Sequence, residues 1–151
     1  MNVKIIIMCG GRGRRLEPLT SSVPKPLVEI GGESILKHKI EFYKRQGFHD
    51  FIFCIGYKSE LIIDAVGDID GIIAEFSDSG EDAGILERIY NVKEKIEGDA
   101  IVTYGDTFTD LNLNELLGRH KEHGSAVTIV TAPIVNPFGL VEIAEDSSIT
   151  S

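Results

Sequence analysis

The hydrophobic positions of the chain form short continuous runs that alternate with segments of helical periodicity. The runs are rich in β-branched and aromatic residues, which is typical of strands buried on both faces. They predict strands at Val3–Cys9, Phe51–Ile55, Ile72–Phe76, Ala100–Tyr104, Ala126–Ala132 and, after a turn at Asn136-Pro137, Leu140–Ile143. The periodic segments predict helices at Ile35–Gln46, Glu60–Val66, Ile85–Ile96 and Leu113–His123.

The first predicted helix shows helical periodicity clearly. Its apolar side chains Leu36, Ile40 and Tyr43 recur at i, i+4 and i+7. Ser34 is placed as the N-cap, and Gly47 can end the helix in the left-handed conformation. This helix is therefore predicted from its interior and from both of its ends.

Strands that alternate with helices along a chain are typical of right-handed βαβ units. The pattern predicts an α/β, Rossmann-like fold with a mostly parallel sheet and helices on both faces. In such sheets ligands bind beyond the carboxyl ends of the strands. We expect four loops to converge there on one crevice. These are Gly10–Pro26, Gly56–Lys58, Ser77–Gly84 and Gly105-Asp106.

Composition narrows the class of protein. The 151 residues, 42% hydrophobic and 26% charged, suit a single domain with a core of its own. The net charge of −9 argues against a nucleic-acid partner. No apolar run approaches the roughly 18 residues of a membrane span, so no membrane partner is predicted. The two cysteines, Cys9 and Cys54, predict buried thiols in a reducing cytoplasm rather than a disulfide framework.

The acidic chain begins with a basic segment. Residues 1–50 hold nine lysines and arginines against five acidic residues, a balance of +4, so residues 51–151 carry −13. Such a local excess can bind a small polyanion without attracting DNA in general. Four of these cations are interpreted as the solvent-exposed face of the first helix. They are Lys37, Lys39, Lys44 and Arg45.

A segment rich in glycine and arginine follows the first predicted strand directly. It runs Gly10-Gly11-Arg12-Gly13-Arg14-Arg15-Leu16. Glycines let backbone N–H groups approach a phosphate, and arginines bind phosphate oxygens in bidentate geometry. The segment predicts a nucleotide-phosphate loop, and the alternative is a tight turn with solvated arginines. It lacks the third glycine of the dinucleotide fingerprint, where Leu16 stands, and the Gly-Lys-Ser/Thr of the ATPase-type loop.

A lysine between two prolines follows at Pro24-Lys25-Pro26. Proline restricts both itself and the residue before it, so this backbone is stiff and extended. That stiffness suits a cation that must stay at one place beside the phosphates. The alternative is an exposed lysine in a turn.

Together these two segments resemble the signature of the sugar-1-phosphate nucleotidyltransferases. The matching motifs are Gly10-Gly11-x-Gly13-x-Arg15-Leu16 and Pro24-Lys25-Pro26-Leu27. Three later segments resemble the glucose-1-phosphate cytidylyltransferase branch. They are Phe51–Lys58, Tyr104-Gly105-Asp106 and Phe138-Gly139. The resemblance covers essentially the whole chain and implies the fold of the nucleotide-diphospho-sugar transferases, with Arg14 where the family commonly has Ser or Thr.

The resemblance implies transfer of a nucleotidyl group from a nucleoside triphosphate to a sugar 1-phosphate, with release of pyrophosphate. Arg15 would stabilise charge on the leaving pyrophosphate, and Lys25 would contact the transferring phosphate. The nucleotide-binding residues that it implies are Gly10, Gly11, Gly13, Arg14 and Gly84. Gly139 would offer its backbone to the sugar.

Asp106 is the candidate ligand for a metal ion. It lies just beyond a predicted buried strand, where a carboxylate can hold Mg²⁺ together with substrate phosphates. The alternative is a turn aspartate. Asp110, four residues later, is interpreted as a helix cap rather than a second ligand.

The resemblance also implies sequence beyond Ser151. Family members continue through a hairpin to a Glu-Lys-Pro segment, whose lysine binds the sugar phosphate, and then to a second metal-binding aspartate. Here Glu145–Ser148 is predicted as the hairpin turn and Ile149-Thr150 as the start of a strand. We therefore expect residues 1–151 to be the nucleotide-binding part of a longer domain. Such a part, without the sugar-binding segment, is expected to bind nucleotide weakly and turn over slowly or not at all.

Two other functions compete with this one. A nucleotide- or sugar-sensing regulatory module of the same fold would have less need of Arg15, Lys25 and Asp106 together. A dinucleotide-dependent oxidoreductase is disfavoured by the glycine spacing. The expected small-molecule partners are a nucleoside triphosphate and a sugar 1-phosphate, and a homo-oligomer is compatible with the resemblance. CTP and glucose 1-phosphate are suggested, but guanylyl-, uridylyl- and thymidylyltransferases share the loop.

Overall fold

The structure, a computed structural model, describes residues 3–133, 141–142, 144–146 and 148–149. Its strands are Lys4–Met8 (β1), Glu29–Ile30 (β2), Glu33–Ser34 (β3), Asp50–Ile55 (β4), Ile73–Asp78 (β5) and Ala100–Tyr104 (β6). Its α-helices are Ile35–Arg45 (α1), Ser59–Gly67 (α2), Ile85–Val92 (α3) and Leu113–His123 (α4). Single 3₁₀ turns lie at Arg14–Leu16, Leu19–Ser21, Lys25–Leu27 and Lys93–Lys95.

The four strands predicted before residue 105 and the four predicted helices are confirmed to within a few residues. The Ser34 hydroxyl accepts a hydrogen bond from the Lys37 N–H at 3.1 Å and so caps α1. Gly47 follows the helix with a φ of 90°, which favours glycine. The third predicted helix is shorter than expected, because α3 ends at Val92 and one 3₁₀ turn follows it.

Four parallel strands form the central sheet in the order β5-β4-β1-β6. The chain adds β4 and then β5 on one side of β1, and afterwards crosses back to place β6 on the other side. The order therefore reverses at β1, and in such sheets the crevice for a ligand lies where the order reverses. The predicted α/β fold with a mostly parallel sheet is confirmed.

Helices pack on both faces of the sheet, as predicted. On one face the Tyr43 ring of α1 meets Phe51 of β4, with ring centroids 6.2 Å apart. On the other face Val92 of α3 belongs to a buried cluster with Ile6 and Ile52. Successive residues of a strand point to opposite faces, so a continuous apolar run supplies both halves of the core.

Two compact units divide the chain by contact density. The first, Met1–Asn114, contains the whole central sheet with α1, α2 and α3. The second, Glu115–Ser151, contains most of α4 and the residues that follow it. Within the described residues, no helix is long and apolar enough to cross a membrane.

The prediction of a strand at Ala126–Ala132 is wrong. These residues join no ladder with any part of the chain that the structure describes. Val127 and Ile129 are 72% and 78% exposed. An apolar β-branched run makes a strand only when a neighbouring backbone completes its hydrogen bonds, so propensity alone was insufficient here.

The end of the chain is described in part. The predicted turn at Asn136-Pro137 lies outside the described residues, and the predicted strand Leu140–Ile143 both begins and ends outside them. The predicted turn at Glu145–Ser148 is confirmed at its described residues: Glu145 and Asp146 lie in a turn, and the Ala144 N–H donates to the Ser148 carbonyl at 2.9 Å. Ser147 lies outside the described residues.

Asn112, rather than Asp110, caps the start of α4. The Asn112 side-chain oxygen accepts from the Asn114 N–H at 3.1 Å. The helix begins at Leu113, so the N-cap position falls on Asn112 and the interpretation of Asp110 as a cap is wrong.

Candidate functional site

A cavity of about 370 Å³ lies at the carboxyl ends of β1 and β6. Residues from three of the four loops expected to converge there line it. Seven predicted site residues are among them, namely Gly10, Gly11, Gly13, Arg14, Arg15, Lys25 and Asp106. The fourth loop contacts the first loop instead, because the Tyr57 N–H donates to the Gly10 carbonyl at 3.1 Å.

Residues that follow the glycine-rich loop in the chain stabilise its backbone. Gly13 has a φ of 65°, in the left-handed region, where a side chain would be strained. Thr20 is almost completely buried, and its hydroxyl donates to the Gly13 carbonyl at 3.1 Å. The Tyr57 hydroxyl donates in turn to the Thr20 carbonyl at 3.1 Å. These hydrogen bonds stabilise the conformation of the loop backbone at Gly13.

The three arginines of this loop have different surroundings. Arg12 is exposed, pairs with Glu81 and stacks over the Tyr57 ring at 5.5 Å from its centroid. Arg14 and Arg15 line the cavity, and neither forms an ion pair with a carboxylate of the described residues. The cavity therefore carries two positive charges that no carboxylate in the described part of the chain neutralises, while the charge of Arg12 is paired.

Lys25 and Asp106 form an ion pair at the cavity wall. Lys25 begins a 3₁₀ turn, and Asp106 follows β6 after Gly105. Burial alone would raise the pKa of Asp106, but the hydrogen bond and the charge of Lys25 lower that pKa below its ordinary value. The Asp106 carboxyl is therefore ionised at neutral pH.

Two predicted site residues are not part of the cavity wall as described. Gly84 is the N-cap of α3 and does not line the cavity, although its neighbours Ala83 and Ile85 do. Gly139 lies outside the described residues. The roles implied for these two glycines remain predictions.

Arg88 of α3, which the sequence motifs do not include, is a buried arginine that also lines the cavity. A signal for it exists in the sequence. Arg88 lies three residues after Ile85 and four before Val92, so it interrupts the apolar stripe of an amphipathic helix. A lone charge on such a stripe indicates a buried polar contact that periodicity alone cannot identify.

The interpretation of Lys39 as a solvent-exposed residue is wrong. Its side chain is buried beside the Tyr43 and Phe108 rings, and its Nζ donates to the Thr107 carbonyl at 2.5 Å. Lys39 lies one residue before Ile40, so the helical period alone placed it on the edge of the apolar face. The connection after β6 covers that edge, and burial lowers the pKa of Lys39 to about 8.

Replacing Lys39 with Met should change how stability depends on pH. The lowered pKa means that the folded protein binds fewer protons than the unfolded chain between about pH 8 and 10.5. The lysine therefore disfavours folding below pH 8, and this cost disappears as the pH rises. We expect the unfolding free energy of Lys39→Met minus that of wild type to fall by about 3 kcal/mol between pH 7 and 10.5.

Urea unfolding of both proteins at several pH values measures this difference. Groups common to both proteins cancel in the subtraction. The control is Lys37→Met on the exposed face of the same helix, for which the difference should stay nearly flat. A Lys39→Met difference that is equally flat would contradict the burial of the ammonium group.

A family model described as nucleotidyl transferase matches residues 4–151. The chain is 30% identical to the probable glucose-1-phosphate cytidylyltransferase of Bacillus subtilis (strain 168), over 95% of this chain and 65% of that protein. It is 34% identical to a mannose-1-phosphate guanyltransferase of Gibberella zeae, over 92% of this chain and 40% of that protein.

A solved structure shares the fold. The crystal structure of HddC from Yersinia pseudotuberculosis complexed with GMP-PN matches with a TM-score of 0.70 and 30% identity. The match covers 78% of this chain and 54% of that one. The chain thus spans 65% or less of the length of each of these relatives.

Proposed function

The chain belongs to the nucleotidyl transferase family, and from this premise we propose that the protein transfers a nucleotidyl group from a nucleoside triphosphate to a sugar 1-phosphate. The products are a nucleoside diphosphate sugar and pyrophosphate. One observation carries the proposal. A single cavity brings together the glycine-rich loop, two arginines that pair with no carboxylate among the described residues, Lys25 and Asp106.

The proposed reaction needs positioning and charge neutralisation more than acid–base chemistry. A phosphate oxygen of the sugar 1-phosphate attacks the α-phosphorus and forms a new P–O bond. The bond from that phosphorus to the bridging oxygen of the β-phosphate breaks, and its electron pair leaves with pyrophosphate. The attacking oxygen is already ionised at neutral pH, so no general base is required. Two polyanions must meet, so cations and oriented N–H groups dominate catalysis.

The lining residues suit these tasks. Arg14 and Arg15 give the cavity fixed positive charge, and we assign Arg15 to the leaving pyrophosphate. We assign Lys25 to the transferring phosphate, because the 3₁₀ turn after Pro24 limits its backbone freedom. The N–H groups of the glycine-rich loop would bind the remaining phosphate oxygens.

Asp106 fits the role of a Mg²⁺ ligand. Its carboxyl is ionised, partly exposed and directed to the cavity wall, where Lys25 now pairs with it. The described residues contain no group of three or more His, Cys, Asp or Glu side chains able to hold a metal. A single carboxylate suits Mg²⁺, which takes most of its ligands from water and substrate phosphates. When bound, the ion would neutralise charge on the phosphates.

The base and the sugar remain open within this proposal. The relatives include a cytidylyltransferase and a guanyltransferase, so both pyrimidine and purine triphosphates are candidates. We assign the base to the region of Gly84, where the side chains of Ala83 and Ile85 offer apolar surface. Gly139 is assigned to the sugar, and the two buried free thiols suit a reducing cytoplasm.

Calorimetric titration with CTP, GTP, UTP and dTTP in the presence of Mg²⁺ tests the proposal. We expect at least one triphosphate to bind, and Arg15→Ala to weaken that binding about tenfold because one charge-assisted contact is lost. Arg45→Ala, at the exposed end of α1, is the control and should leave the affinity unchanged.

Two results would count against this function. Absence of binding to all four triphosphates would contradict the nucleotide site itself. Binding without pyrophosphate release in the presence of sugar 1-phosphates, in a chain that includes all residues found in the relatives, would favour a regulatory module instead.

A further inference from the structure

Arg88 carries a charge to which the proposed function assigns no role. The residue is 3% exposed, and its guanidinium donates to four backbone carbonyls. Nη1 donates to Ile55 at 2.5 Å, and Nε donates to Ala83 at 3.2 Å. Nη2 donates to Gly80 at 2.6 Å and to Gly10 at 3.3 Å.

All four carbonyls lie at the carboxyl edge of the sheet, and two of them, Gly80 and Ala83, belong to the loop after β5. Gly10 follows β1, Ile55 ends β4, and Gly80 follows β5, which are three adjacent strands. A planar guanidinium with five N–H donors can reach carbonyls on several sides at once. A lysine has three donors on one atom and cannot span the same set. Arg88 therefore connects the carboxyl ends of three strands in a way that specifically requires arginine.

The contact with Gly10 also determines the direction of a peptide group. The Gly10 carbonyl accepts from Arg88 and from the Tyr57 N–H. In a trans peptide the C=O and the following N–H point in opposite directions, so the Gly11 N–H is turned away from Arg88. Gly11 lines the cavity. A Cβ on Gly10 would overlap the guanidinium, so the close approach depends on glycine.

The charge of Arg88 is not neutralised locally. Within the described part of the chain, no carboxylate lies within ion-pair distance of it, and its partners are carbonyl dipoles. A buried cation without a counterion adds positive potential to the cavity that it lines. A bound phosphate would supply the missing negative charge.

We propose that Arg88 is a positioning residue for phosphate binding. Its hydrogen bond to the Gly10 carbonyl orients the glycine-rich loop, and its charge, which no described carboxylate neutralises, adds to the positive potential of the cavity. The inference rests on the proposed function, because it takes the glycine-rich loop as the phosphate site. It adds a residue outside the motifs of that loop, brought to it by α3.

The test compares Arg88→Lys with Val92→Ala, using inorganic tripolyphosphate as the probe. Arg88→Lys keeps the positive charge but lacks the planar guanidinium that reaches several carbonyls at once. We expect it to weaken tripolyphosphate binding about tenfold. Val92 lies one turn later on the same helix, belongs to the core cluster and does not line the cavity. Val92→Ala removes buried apolar packing from the same helix and should leave tripolyphosphate affinity within about twofold of wild type.

An NMR readout separates positioning from general stability. In ¹⁵N spectra, tripolyphosphate should shift the Gly11 amide signal of wild type and of Val92→Ala, but much less that of Arg88→Lys. Equal affinities for Arg88→Lys and wild type would overturn the inference. A loss in Val92→Ala as large as that in Arg88→Lys would also overturn it, because the effect would then follow stability.

A measurement on wild type covers the case in which Arg88→Lys does not fold. The Nε–H proton of Arg88 should exchange slowly with solvent, both free and with tripolyphosphate bound. Exchange as fast as that of the exposed Arg45 would overturn the inference. If wild type binds neither tripolyphosphate nor any nucleoside triphosphate, the proposed function fails. If wild type binds but the Arg88→Lys affinity is unchanged, only the role of Arg88 fails.

Discussion

Asp106→Asn is expected to lower the affinity of the protein for a nucleoside triphosphate with Mg²⁺ by about a hundredfold, because an amide oxygen replaces an ionised ligand. The same substitution should leave affinity unchanged, or raise it, when EDTA removes the metal. In wild type the Asp106 carboxylate forms an ion pair with Lys25. A neutral amide at position 106 would not form that pair, so Lys25 could contact the phosphates instead. Calorimetric titrations with Mg²⁺ and with EDTA measure the two effects separately.

Asp110→Asn provides the matched control. Asp110 is exposed and lies four residues beyond Asp106, before α4. Its substitution changes the net charge by the same amount but should leave both affinities unchanged. An equal loss in the two variants would mean that net charge, rather than a metal ligand, is responsible. A loss in Asp106→Asn that persists in EDTA would also contradict the assignment.

Gly10→Ala is expected to lower the free energy of unfolding by about 3 to 5 kcal/mol, although it adds one methyl group. The new Cβ would overlap the Arg88 guanidinium, which has no room to retreat among four carbonyls. Displacing Arg88 would leave a buried charge without its hydrogen bonds, which is costlier than a steric clash with an apolar side chain. Urea unfolding followed by far-UV circular dichroism gives the difference.

The adjacent glycine supplies the control for this experiment. A Cβ on Gly11 would meet no atom within 4 Å, and Gly11 is not among the glycines with positive φ. Gly11→Ala should therefore be neutral or stabilise the protein by a few tenths of a kcal/mol, since alanine restricts the unfolded chain. Similar losses for both variants would show that loop flexibility matters, and not the contact with Arg88.

Much of the fold follows from local rules that operate within a few residues. The runs at β1 and β4 are continuous and β-branched or aromatic, and each became a buried central strand. Ser34 caps α1 because its hydroxyl reaches an N–H three residues away. The run at Ala126–Ala132 shows the limit of such rules. It is also rich in β-branched residues, yet a strand needs a partner that composition does not reveal.

The candidate site, like the fold, was predicted in part from the sequence and decided in part by the tertiary structure. The glycine-rich loop, Lys25 and Asp106 were each predicted separately, because motif spacing and strand ends mark them. Their convergence on one cavity depends on β1 and β6 being neighbours, which strand order decides. The pairing of Lys25 with Asp106, and with it the lowered pKa of the carboxyl, exists only in the folded chain.

The sequence by itself determined the α/β class, the boundaries of most helices and strands, and the loop residues suited to phosphate. These depend on side-chain chemistry and short-range periodicity. The tertiary structure alone decided that Lys39 is buried and that Arg88 contacts the glycine-rich loop at Gly10, 78 residues earlier in the chain. Burial and hydrogen bonding of a charged side chain depend on which distant segments pack around it. A helical period can place such a side chain near an apolar face, but it cannot show what covers that face.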